Sequence, residues 1–172
     1  MTVEIRAWIQ SIEQTLEKLE KLGCTSKGTY SFRDYIYDLK DKSYNFNKKF
    51  MHVRFYEKTN WNQKPVQLVH KLKSKPDFSG DIIFSQGFDN ISQAENFLKP
   101  SHTLAFSAFR KGTEFSLNNL RIFVEDIEFL KPSIEVLGVT KEDILDLFNK
   151  IEHEGIINDS VAQLICSRSR CT

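Results

Sequence analysis

The residues that could carry chemistry fall at alternate positions of short apolar runs. Glu4 and Arg6 alternate with Val3, Ile5 and Ala7 near the start of the chain, the period-two pattern of a strand with one apolar and one polar face. In MHVRF, His52 and Arg54 alternate with Met51, Val53 and Phe55. Lys71 and Lys73 alternate with Leu68, His70 and Leu72, and Arg110 follows Phe109 in AFSAFRK. Arg121 and Glu125 share a face with Phe123, against Ile122, Val124 and Asp126, and Glu135 sits between Ile134 and Val136. Cations gathered in this way could hold an anion. The same residues on an uncovered sheet would simply be solvated.

Composition narrows the choice of partner. The 172 residues include 24 Lys and Arg against 23 Asp and Glu, a net charge of +1. No global bias points to nucleic acid or to a membrane surface, so an anion site must be built by local placement. Forty per cent of residues are hydrophobic, enough for an ordinary folded core. Fourteen Phe suggest a core between a sheet and covering elements. Cys24, Cys166 and Cys171 have no metal-ligand spacing, which points to reduced thiols in an intracellular protein. No secretory leader and no apolar run of about 18 residues is visible, so the expected location is cytoplasmic.

The elements that must position these residues read in order. After the first strand, SIEQTLEKLEKLG is a helix capped by Ser11, with Ile12, Leu16, Leu19 and Leu22 as its apolar stripe and Gly23 as its stop. TYSFRDYIYD, FMHVRFYEK, PVQLVHKLK and GDIIFSQ are strands. NISQAENFLKP is a short helix behind Asn90. HTLAFSAFRKG, TEFSL, LRIFVEDIEF and PSIEVLG are further strands, some continuous through a bend. Thr140 caps a helix running towards Gly155, and a last helix starts near Ser160. His102 and His153 read as ordinary polar residues. The class is α+β, mainly antiparallel, with about eight strands that could close into a barrel. Periodicity alone leaves open whether helices cover the apolar face, turning the charged face inwards, or whether the charged face is wet.

The order and spacing of these pieces resemble the CYTH family, which comprises class IV adenylate cyclases, thiamine triphosphatases and related triphosphate tunnel metalloenzymes. TVEIR stands where the family has E-x-E-x-K, and FRDYIYD is similar to its D-x-Y-F strand. MHVR resembles L-R-x-R, LVHK resembles L-x-x-K, and AFR resembles K-x-R. FVEDIEFLKPSIEVL resembles the acidic stretch that ends in E-x-E. The correspondence runs from residue 2 to about residue 150. Thr2, His52, Ala108 and Leu137 depart from the pattern.

The resemblance implies a single domain over residues 1–172, with 156–172 a C-terminal helix and tail, built on an eight-stranded antiparallel tunnel with helices outside. It implies that Arg6, Arg54, Lys71 and Arg110, joined by His52, Lys73 and Arg121, grip a nucleotide or other triphosphate. It further implies that Glu4, Glu125 and Glu135 hold Mg2+ or Mn2+, hard cations suited to carboxylate oxygens. The expected activity is metal-dependent triphosphate hydrolysis or adenylate cyclisation. The alternatives are a catalytically inactive nucleotide- or polyphosphate-binding module and an interaction barrel without a ligand. No membrane or nucleic-acid partner is expected, and a homodimer is left open.

Overall fold

Alternating β-branched and aromatic residues favour extended chain, and nine strands form among the described residues. A computed structural model describes residues 2–59, 61–73 and 80–170. In chain order the elements are β1 (Val3–Trp8), α1 (Ile12–Lys21), β2 (Thr25–Leu39), β3 (Lys49–Lys58), β4 (Val66–Leu72) and β5 (Asp81–Phe88). These are followed by α2 (Ile91–Leu98), β6 (His102–Leu117), β7 (Leu120–Ile127), β8 (Ser133–Gly138), α3 (Lys141–Phe148), β9 (Gly155–Ile157) and α4 (Val161–Ile165). A π-helical turn, Cys166–Arg170, follows α4.

The strands make one antiparallel sheet in the order β5-β4-β3-β2-β6-β7-β8-β1-β9. In place of the expected eight-stranded barrel, the described residues form one antiparallel sheet of nine strands. The ninth strand is the reason for the count: β9 adds to the edge of β1, pairing Arg6 with Ile157 and Trp8 with Gly155. HTLAFSAFRKG and TEFSL, read from the sequence as two strands, form one strand of 16 residues, β6.

Two compact units divide the chain: one holds residues 2–30 and 111–158 of those described, the other 31–59, 61–73, 80–110 and 159–170. In the first, Val3, Ile5, Ala7, Ile122, Val124, Ile134 and Val136 form one strand face. They pack with Leu19 of α1 and with Ile144, Leu147 and Phe148 of α3. In the second, Tyr37, Met51, Val53, Val66 and Leu68 pack with Ala94 and Leu98 of α2. Each buried Val, Leu, Ile, Phe or Met among them contributes about 1.5–3 kcal/mol. In both units the helices cover the apolar face, which answers the question left open by periodicity.

The helices begin where capping chemistry places them. Ser11, Asn90, Thr140 and Ser160 accept hydrogen bonds from the backbone N–H of Gln14, Gln93, Asp143 and Gln163. The helix expected to reach Gly155 ends at Phe148. Tightened turns, with Lys150 N–H donating to Leu147 O and Ile151 N–H to Phe148 O, stop it there. Ile151 joins the core instead, and Glu154 N–H donates to Trp8 O where β9 begins. Cys24 is free and buried. Cys171 lies outside the described residues. Among the described residues, no helix is long and apolar enough to cross a membrane.

Candidate functional site

In the second unit, alternation carries charged residues to the sheet face opposite α2. Asp34 on β2 lies directly across the ladder from Arg54 on β3, and Phe32 and Ile36 lie across from Tyr56 and His52. Cross-strand neighbours are close enough for side chains to meet. Arg54 donates from Nε to Asp34 Oδ1 (2.6 Å) and from Nη2 to Oδ2 (2.8 Å), a two-point fork. Arg110 of β6 donates from Nη1 to Asp34 Oδ2 at 3.4 Å. The Phe32 ring lies beneath both guanidinium groups, 3.7 Å from Arg54 and 5.2 Å from Arg110.

This face is not a solvated one: Asp34 is 5% exposed and His52 also 5%. Burial alone would raise the Asp34 carboxyl, but the charge and hydrogen bonds of Arg54, together with Arg110, hold it well below the usual carboxylate range. Burial would likewise lower Arg54, and Asp34 outweighs it, raising the guanidinium further. For His52 burial prevails. Its pKa is lowered to about 3, with Arg54, Lys71 and Arg110 adding to the effect and Asp34 opposing it. His52 is therefore a neutral imidazole among cations. Its ring stacks on Phe50, centroids 5.8 Å apart, and its Nδ1 is buried without a hydrogen-bond partner. Lys73 follows the end of β4, where its backbone N–H donates to Lys48 O.

The first unit also gathers charged residues. Arg6 on β1 pairs across the ladder with Glu135 on β8 and binds its carboxylate. Arg6 Nη1 also donates to Glu125 Oε2 (2.7 Å) and to Ser133 Oγ (2.7 Å). The Tyr30 hydroxyl donates to Glu125 Oε1 at 2.9 Å. Arg6 is 7% exposed and Glu125 2%, so their charges must be matched within the protein. Half-buried Glu4 stands across from Leu137. Arg121 is held by Glu114 through Nε (3.0 Å) and Nη2 (2.9 Å), and covers the Phe123 ring at 5.1 Å.

Each unit brings some of the named residues together. His52, Arg54, Lys71 and Arg110 come together, while Arg6, Glu125 and Glu135 form their own network and Arg121 is taken up by Glu114. Asp34, Phe32, Tyr30 and Ser133 are part of these clusters and were not singled out from the sequence. His102 Nε2 shares a hydrogen bond with the Tyr44 hydroxyl (3.0 Å), and His153 Nδ1 accepts from Gly155 N–H. Among the described residues, no group of three His, Cys, Asp or Glu is disposed to hold a metal ion.

No family model matches the chain, and neither does any curated protein. Solved structures do match. The PH1819 protein of Pyrococcus horikoshii aligns at TM-score 0.81 and 12% identity, covering 98% of this chain and 99% of its own. A protein of Vibrio parahaemolyticus described as a "putative adenylate cyclase" aligns at TM-score 0.63 and 10% identity, over 98% of this chain and 87% of that one. A Hippeastrum "putative adenylyl cyclase", described as having a dominant triphosphatase activity, aligns at TM-score 0.66 and 14% identity, over 100% and 97%. The fold is CYTH-like. At these identities the likeness is one of fold.

Proposed function

We infer that this chain binds a triphosphate or related polyphosphate anion through Arg54, Arg110 and Lys71, with His52 beside them. The observation that carries this reading is the gathering of these groups around one buried carboxylate, Asp34, on a Phe32 platform. With His52 neutral, the cations Arg54, Arg110 and Lys71 gather near this one carboxylate. A triphosphate carries several negative charges, and each charge-assisted contact is worth about 1.5–3 kcal/mol. Screening is weaker for such buried groups than at a surface. The CYTH-like fold, shared with proteins described as adenylate cyclases and as a triphosphatase, supports the same ligand class.

Metal-dependent hydrolysis or cyclisation is the second reading, because Glu125 and Glu135 lie within reach of one group in the first unit. That group is the Arg6 guanidinium. Two of the three candidate ligands are already engaged by one cation that cannot be deprotonated, so the set Glu4, Glu125 and Glu135 does not fit Mg2+ or Mn2+ as it stands. The better-supported function is anion binding without turnover. Isothermal calorimetry with tripolyphosphate, in the presence of EDTA, tests it: binding supports the reading, and no heat at millimolar ligand removes it.

A further inference from the structure

His52 is the one member of the cationic cluster whose charge is not fixed. It occupies a strand position between Ile36 of β2 and Val69 of β4, 5% exposed, with its ring against Phe50. The charged groups acting on it come from its own strand and those around it: Asp34 on β2, Arg54 on β3, Lys71 on β4 and Arg110 on β6. Three of these four are cations, which disfavour an imidazolium, and Nδ1 has no hydrogen-bond partner. A buried, unpartnered polar atom is costly, and here it stands among the groups that would meet a phosphate.

Resting on the anion-binding reading, we propose that His52 is the specificity-determining residue of the cluster: a bound phosphoryl group makes it a fourth cation, with Nδ1–H donating to a phosphate oxygen. The proton comes from solvent and stays on the imidazole while the anion is bound. The physical cause is the reversal of local charge. Without ligand, burial and three cations hold the imidazole neutral, to a pKa of about 3. A polyanion placed among the same cations adds negative charge and an acceptor, both of which favour the charged form. An Arg at this position would be a cation at every pH. His52 instead makes the cluster most cationic only when it is occupied by an ionised phosphate, and discriminates against neutral or weakly charged ligands that cannot stabilise the imidazolium.

The test is calorimetry with tripolyphosphate at pH 6 in buffers of different ionisation enthalpy, which counts the protons taken up on binding. Wild type is expected to take up close to one proton more than His52→Gln, a difference that cancels the ligand's own protonation. The ratio of wild-type to His52→Gln affinity is expected to rise by up to about tenfold per unit fall in pH, the limit for one linked proton. His52→Arg is expected to lack the extra proton and to bind more tightly than His52→Gln at pH 8. Equal proton uptake in wild type and His52→Gln would overturn the proposal while leaving anion binding intact; absence of binding in wild type would instead remove the underlying reading. If His52→Gln does not fold, the imidazole nitrogen shifts of wild-type His52 with and without tripolyphosphate decide the matter. A change from neutral imidazole to imidazolium is expected, and an unchanged neutral ring overturns the proposal.

Discussion

Arg54 holds Asp34 by two hydrogen bonds, 2.6 and 2.8 Å long, from the facing position of the adjacent strand. This fork fixes the plane of the guanidinium over Phe32 and presents its remaining edge without further rotation of a long side chain. Removing the carboxylate should therefore cost stability. Asp34→Asn is expected to be destabilised by about 3–5 kcal/mol, the range for breaking a buried ion pair from one side, because Arg54 and Arg110 are left facing each other. Tripolyphosphate should recover more melting temperature in this variant than in wild type. Chemical denaturation with and without ligand checks both.

The Arg6 network makes a prediction about metals. Neither Mg2+ nor Mn2+ should raise the melting temperature of the wild-type protein, since Arg6 already engages Glu125 and Glu135. Arg6→Gln releases both carboxylates, whose mutual repulsion then favours a cation. Thermal melts should show stabilisation by Mn2+ in the variant alone. A matching shift in wild type would restore the carboxylates to the role of metal ligands.

Stability should fall steeply in weak acid. The folded pKa of His52 is lowered to about 3, against about 6.5 when unfolded. Between these values the unfolded chain binds the extra proton, so stability is lost as pH falls below about 6.5, by up to 1.4 kcal/mol per unit. His70 and His102, lowered mainly by burial, act in the same direction. Asp34 joins only at lower pH, as its unfolded form protonates near 3.9. His52→Gln should lose about 2 kcal/mol less than wild type between pH 6.5 and 5, measured by urea unfolding.

Close approach at Gly112 supports the buried acid Glu125. A Cβ there would stand 2.6 Å from the Tyr30 hydroxyl and 2.7 Å from the Val124 carbonyl oxygen. Gly112→Ala should push Tyr30 away from Glu125 and cost about 1–3 kcal/mol, typical of overpacking. Tyr30→Phe should lose less, about 1–2 kcal/mol, through the unmade hydrogen bond. Comparative melts of the two variants separate the terms.

Much of this architecture was legible in the sequence because alternation and capping are local signals. The faces of β1, β3 and β7, and the caps Ser11, Asn90 and Thr140, could be read residue by residue. Cross-strand partners were less accessible: Arg6 and Glu135 are 129 positions apart, and no local pattern gives that register. Asp34 did leave a trace, as a carboxylate in phase with Phe32 and Ile36. A charge on an otherwise apolar strand face needs a buried cation, and Arg54 was available. The strand β9 is three residues long, too short for a period to register, and its pairing with β1 opens the count from eight to nine. The end of α3 was misplaced because Ile151 continues the helical stripe in sequence while entering the core from a turn.

Calorimetric titration of tripolyphosphate into wild type, Arg54→Ala and Arg110→Ala tests the central claim most directly. Arg110→Ala is the cleaner variant, because Asp34 keeps its two-point contact with Arg54. Both variants, checked for folding by circular dichroism, should bind about ten- to 150-fold more weakly than wild type, the loss of one charge-assisted contact of about 1.5–3 kcal/mol. Wild-type affinity in both folded variants would contradict the assignment of this cluster to anion binding.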